Sequence, residues 1–214
     1  MFLSDGRIAV LVGSLHRRVS HVVVLDPGGN ANPISSKNLP LTTATASGDT
    51  GGCGVSSPLP VAGTDGTIAA YSEVDAQVYA LDRSLAIVPG WPFEPSTALV
   101  RARPGFEYEH EAGYCPGPVA PAIGPDGTLY LTLEPRTRTS GGSLVAVGRD
   151  GRVRPGWPVQ LKRSGAEFWS VVVGSDGIAF AMAIEPESSG ASSATILAIA
   201  ADSTVLWSTT IVEP

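Results

Sequence analysis

Short apolar runs broken by Asp, Gly, Pro and Ser fill this chain, and helical periodicity is absent from it. One phrase returns. Asp5-Gly6-Arg7-Ile8-Ala9 is followed by Asp65-Gly66-Thr67-Ile68-Ala69, Asp126-Gly127-Thr128-Leu129-Tyr130 and Asp176-Gly177-Ile178-Ala179-Phe180. A turn signal that opens an apolar run and recurs every fifty to sixty residues predicts an array of β-units rather than one irregular domain. Asp-Gly suits a hairpin turn with positive φ at its central residues.

Each copy parses into the same pieces. In the second, apolar runs at 57–62, 67–72, 77–81 and 86–92 are separated by Thr64-Asp65-Gly66, a polar link at 73–76 and Asp82-Arg83-Ser84. The third runs 119–123, 129–133, 144–147 and 153–159, and the fourth 168–173, 178–184, 195–200 and 205–211. The first copy has runs at 7–12 and 22–25 and a fourth strand near Ile34, and Met1-Phe2-Leu3 reads as the tail of its opening strand. Four short antiparallel strands per repeat are the signature of propeller blades. The expected fold is therefore all-β, a single domain over 1–214 with four four-stranded antiparallel β-propeller blades at approximately 1–41, 56–93, 118–160 and 167–212. It forms either a small ring or part of a larger propeller. Trp91, Trp157 and Trp207 recur at one blade position, where an indole would fill the gap between adjacent sheets.

The repeat resembles that of quinoprotein-like β-propellers, the pyrroloquinoline quinone type. The likeness rests on Tyr79-Ala80-Leu81-Asp82 followed by Gly90-Trp91, and on Leu197-Ala198-Ile199-Ala200-Ala201-Asp202 followed by Leu206-Trp207. Pro89-Gly90-Trp91-Pro92 and Pro155-Gly156-Trp157-Pro158 are similar to a variant of bacterial secreted propellers. That family holds both quinone-dependent enzymes and cofactor-free scaffolds, so the resemblance implies architecture and leaves activity open. Its rings usually close with six to eight blades, and this chain carries four. The alternatives are a compact ring, a half-ring that pairs with another chain, and a piece of a longer protein.

Composition narrows the partners. The chain is 43% hydrophobic and 16% charged, with a net charge of −6 and scattered Lys and Arg. Nucleic acid would need a basic stripe and is not expected. No apolar run reaches the roughly 20 residues of a membrane span. Residues 1–13 lack the basic start of a signal peptide. Cys53 and Cys115 lie ahead of equivalent Asp-Gly turns, where they either pair as a disulfide or remain two thiols. A disulfide would imply an oxidising compartment, extracellular or in the cell envelope.

The long links at 42–57, 93–118, 136–143 and 185–194 fall on the face opposite the Asp-Gly turns. Long loops on a rigid scaffold tend to carry binding. Glu73, Glu134 and Glu185 each end a second strand, and with Asp75 they outline a partial acidic ring for Ca²⁺ or a cationic ligand, or a set of solvated strand ends. The segment 106–115 concentrates Tyr108, Glu109, His110, Glu111 and Tyr114, suited to a metal, to acid–base work or to stacking on a sugar or peptide, or else to pinning a surface loop. His16-Arg17-Arg18 offers a basic hairpin tip, and His21 sits on a strand. There is no nucleophile elbow, phosphate-cradling loop or zincin motif. The expectation is a non-catalytic binding or scaffold domain acting on a protein or glycan through its long-loop face. Segments of a propeller enzyme (a quinoprotein oxidoreductase, or a carbohydrate-active hydrolase or lyase) and a self-associating half-propeller subunit are the alternatives. The chain is too short to enclose the quinone alone, so no cofactor is assigned beyond Ca²⁺ as a candidate.

Overall fold

The computed structural model describes residues 6–14, 19–25, 33–38, 60–72, 77–94, 121–133, 140–186 and 192–211. Every regular element in them is a β-strand. In chain order these are β1 (Ile8–Ser14), β2 (Val19–Leu25), β3 (Pro33–Asn38), β4 (Val61–Ala62), β5 (Ile68–Ser72), β6 (Gln77–Leu81), β7 (Ala122–Ile123), β8 (Leu129–Leu133), β9 (Ser143–Val147), β10 (Val159–Gln160), β11 (Glu167–Val173), β12 (Ala179–Pro186), β13 (Ser192–Ile199) and β14 (Val205–Ile211). They form four antiparallel sheets in which each strand pairs with its neighbour in sequence: β1–β3, β4–β6, β7–β10 and β11–β14. The build is propeller-like.

Consecutive sheets pack face to face. Val22 and Val24 of the first lie against Ile68, Ala70, Tyr79, Leu81 and Leu85 of the second. Ala69, Val78, Ala80, Trp91 and Phe93 of the second meet Leu129, Leu131, Leu133, Val145 and Val147 of the third. Tyr130, Leu144, Ala146 and Trp157 of the third meet Phe168, Val171, Ala179, Ala181, Ala183 and Ile199 of the fourth. The third sheet is thus covered on both faces. Successive strand residues point to opposite sides, so a strand covered twice must be apolar throughout. Ser143-Leu144-Val145-Ala146-Val147 is buried at every position and apolar at all but Ser143, at its end.

The outer strands depart from the expected continuous fourth strand. In the second sheet residues 86–93 touch β6 through the Leu81↔Ile87 and Val78↔Phe93 bridges. In the third, Val153 bridges Val147, and β10 begins only after the tryptophan. The cause is the Pro-Gly-Trp-Pro turn. Gly90 and Gly156 have φ of 91° and 85°, and proline donates no backbone bond, so the ladder breaks there and resumes.

The Asp turns also differ from the expected geometry. In Gly63-Thr64-Asp65-Gly66 the Gly66 amide donates to the Gly63 carbonyl, and the Gly63 amide to the Thr67 carbonyl. Only Gly66, at φ 85°, has positive φ. The Asp65 carboxylate accepts the Thr67 amide at 3.0 Å, locking the turn from inside. The same backbone pattern closes the turns that start at Asp82, Gly124, Gly148, Gly174 and Ala200. Leu85 (φ 63°) and Ser203 (φ 73°) take the glycine position in two of them. Leu85 buries its side chain against the first sheet, which offsets the cost of a left-handed leucine.

Candidate functional site

The two ends of the sheets are built differently, and the turn end is occupied by structure. Arg83 lies over Gly66 and donates from Nε to the Asp65 carbonyl at 3.0 Å. Arg149 does the same over Gly127, to the Asp126 carbonyl at 2.8 Å. Arg149 also crosses between sheets, with Nη1 2.7 Å from the Asp65 carboxylate. Arg154 donates to the Asp126 carboxylate and to the Thr128 hydroxyl. Burial pushes the Asp65 carboxyl up, but hydrogen bonds from Thr67 and the charge of Arg149 outweigh it and leave it below the ordinary carboxylate value. Asp126 is held low in the same way by Thr128 and Arg154. Burial, with the Asp126 charge, raises the Tyr130 phenol.

Two tryptophans clasp the next sheet at this end. Trp91 Nε1 donates to the Arg149 carbonyl at 2.9 Å, and Trp157 Nε1 to the Ala201 carbonyl at 3.0 Å. Arg149 and Ala201 hold the same position in successive turns, so the two joins are copies of one another. Backbone meets backbone beside each indole. A Cβ on Gly90 would stand 2.2 Å from the Asp150 carbonyl oxygen, and one on Gly156 2.8 Å from that of Asp202. A cavity of ≈ 60 Å³ remains between the second and third sheets, lined by Thr67, Trp91, Ile123, Leu129 and Arg149 among others. It has room for a water or two and is too small for an organic ligand.

Trp207 follows the expectation in place but not in burial. Phe180 lies 6.1 Å from it, ring centre to ring centre, as Tyr130 lies 5.4 Å from Trp157. Trp157 is 7% exposed, whereas Trp207 is 48% exposed and fills no gap. The reason is position: Trp157 is covered by the fourth sheet, and Trp207 belongs to the last one.

At the opposite end the link at 161–166 straps the third sheet to the fourth. Leu161 donates to the Gly142 carbonyl, Gly142 to Ala166 and Gly165 to Ser140. A Cβ on Gly141 would sit 2.2 Å from the Leu161 carbonyl oxygen, which is why glycine stands there. Arg163 on this strap faces Glu185, with Nη1 3.7 Å from Oε2. Glu185 therefore has a cationic neighbour and is the last residue but one of β12, opposite Ser193. Glu73, Asp75, Glu134, Tyr108, Glu109, His110, Glu111, Tyr114, Cys53, Cys115 and the 16–18 basic tip lie outside the described residues. Among the described residues no group of three His, Cys, Asp or Glu side chains is placed to hold a metal ion, and no helix is long and apolar enough to cross a membrane. His21 lies on β2, as expected.

The sequence reading missed the arginines. A signal was present: Arg83 and Arg149 each stand two residues beyond the last apolar residue of a third strand, Leu81 and Val147. The fourth sheet has Ala201 there, and Gly177 correspondingly has open space above it.

No family model matches the chain, and no curated protein sequence matches it. Among solved structures, a protein from Lactobacillus plantarum is similar over 95% of this chain and 53% of its own, with TM-score 0.50 and 14% identity. A streptogramin B lyase is similar over 98% of this chain and 66% of its own, with TM-score 0.47 and 11% identity. Virginiamycin B lyase from Staphylococcus aureus follows at 96% and 67%, with TM-score 0.45 and 10% identity. The likeness is one of fold alone. The chain spans about half the length of the first protein and about two thirds of the lyases.

Proposed function

We propose that this chain is a non-catalytic, β-propeller-type binding or scaffold domain that engages a protein or glycan through its long-loop face. The supporting observation is the division between the two ends of the sheets. At the turn end, the Arg149–Asp65 ion pair and the two clasping indoles join sheet to sheet, while Arg83, Arg154 and Asp126 are committed to locking turns within their own sheets. A face used up in this way is a scaffold, and the strand ends that lead into the long links, Leu133 and Pro186, are at the other end. Within that face the segment 106–115 is the candidate contact, with Tyr108 and Tyr114 as stacking platforms and Glu109 and Glu111 as acceptors. The reading extends to one propeller domain over 1–214, located outside the cytosol.

Glycan- and peptide-array binding tests it. A Tyr108→Ala, Tyr114→Ala variant loses binding by tenfold or more while its fold is unchanged. Binding that survives this variant removes the segment from the reading. The Glu109-His110-Glu111 run keeps a propeller-enzyme segment as a second reading, because a carboxylate beside an imidazole suits acid–base chemistry. Turnover that Glu109→Gln abolishes while binding persists selects the enzyme.

A further inference from the structure

We infer that the outer face of the fourth sheet docks the first sheet of a second copy of this chain. The face carries Val172, Phe180, Met182, Ile196, Trp207 and Ile211, which the β11–β14 register places on one side. Val172, Trp207 and Ile211 are 62%, 48% and 51% exposed, a concentration of apolar surface unusual for a free sheet.

What covers such a face is written twice inside the molecule. Hydrogen-bonded turn positions align Ala80, Ala146 and Ala198, and strand pairing then aligns Ala69, Tyr130 and Phe180, and Val78, Leu144 and Ile196. In the second and third sheets these positions are buried by the following sheet. In the fourth, Phe180 and Ile196 are only partly buried. The covering surface is just as regular. Leu81, Val147 and Ile199 hold one position and are each fully buried against the preceding sheet. Leu25 is their counterpart in the first sheet, paired with Ile8 as Leu81 is with Ile68. Ile8, Val23 and Leu25 are only partly buried, because Val22 and Val24 use the other face of that sheet. Among the described residues, the fourth sheet thus presents an exposed acceptor face and the first sheet a partly buried inserting face of the same repeat. Two copies, each seating its first sheet on the other's fourth, use both faces twice and close the assembly. This inference does not depend on the loop-face reading.

The test is the mass of the purified chain across a concentration series, by light scattering. Twice 22.0 kDa is expected. Trp207→Glu and, separately, Val172→Asp each give a monomer with an unchanged β-sheet circular dichroism spectrum; both residues are exposed, so the fold tolerates them. A Val23→Asp variant is also monomeric, and an equimolar mixture of Trp207→Glu and Val23→Asp chains recovers dimer, because one wild-type face of each kind remains in the pair. A monomeric wild type overturns the proposal, as a chain that closes on itself or meets a different partner would be. So does a dimer that survives both Trp207→Glu and Val172→Asp. A mixture that stays monomeric while both variants are folded overturns the head-to-tail pairing.

Discussion

Two aromatic pairs, Tyr130 with Trp157 and Phe180 with Trp207, are the same device in different settings. The first is sealed under the fourth sheet, and its indole nitrogen reaches the Ala201 carbonyl. The second lies open on the last sheet. The repeat therefore carries the means of joining, while the stabilisation depends on a neighbour being present. Substitution separates the two. Trp157→Ala costs about 3–5 kcal/mol, as large truncations in cores do, while Trp207→Ala costs under about 1 kcal/mol in the isolated chain. Chemical denaturation of both variants at low protein concentration measures the difference. Equal losses would mean that the outer face of the fourth sheet is covered within the chain itself.

Glycines sharpen the same contrast at the backbone. Gly90 and Gly177 share a φ near +85°, at 91° and 82°, but Gly90 abuts Asp150 and Gly177 faces open space. Alanine at Gly177 meets only the left-handed conformational cost, about 1–2 kcal/mol. Alanine at Gly90 must also push two sheets apart, so about 3 kcal/mol or more is expected. Thermal unfolding decides, and similar Tm shifts would show that the join can yield. Trp157→Phe is a smaller probe. It keeps most of the ring and leaves the Ala201 carbonyl without its donor, for about 1 kcal/mol. Trp207→Phe has no such bond in the isolated chain and shifts stability less.

Much of the fold was legible because the apolar period is short and the turns are chemically marked. The runs 129–133 and 144–147 became β8 and β9 almost residue for residue, and 168–173 and 205–211 became β11 and β14. Turn detail was less legible. Leu85 and Ser203 adopt positive φ without a glycine to announce it, since the Asp82 and Asp202 carboxylates organise those turns through Ser84 and Thr204. The outer strands misled because Pro-Gly-Trp-Pro is apolar enough to read as a strand while its proline and left-handed glycine break the ladder. Burial of a given tryptophan could not be read at all, because it depends on which sheet comes next rather than on local sequence. For the acidic ring, spacing from the Asp turn aligned Glu185 with Glu73 and Glu134, but not with the arginine that Glu185 meets, which comes from the strap before the fourth sheet.

The smallest effect lies at the ion pair between Asp65 and Arg149, and its sign is fixed by the direction of the shift. The folded-state pKa of Asp65 is depressed below its ordinary 3.8. The stabilisation it contributes is therefore fully present above pH 3.8 and fades as pH falls below that through the depressed value. Arg149 is 58% exposed at its side chain, so water and salt screen the pair, and Asp65→Asn costs under about 1 kcal/mol at neutral pH. The turn-locking bond to Thr67 survives in Asn through the amide oxygen, which isolates the charge from the turn geometry. Wild type and Asp65→Asn should therefore differ in stability at pH 6 and converge as the solution is acidified below pH 3.8. Asp126→Asn, whose partner Arg154 lies in the same sheet, should show the same direction without loosening the second sheet from the third. A gap between Asp65→Asn and wild type that persists or widens in acid would mean that Asp65 acts through its shape in the turn and not through the charge that bridges the two sheets.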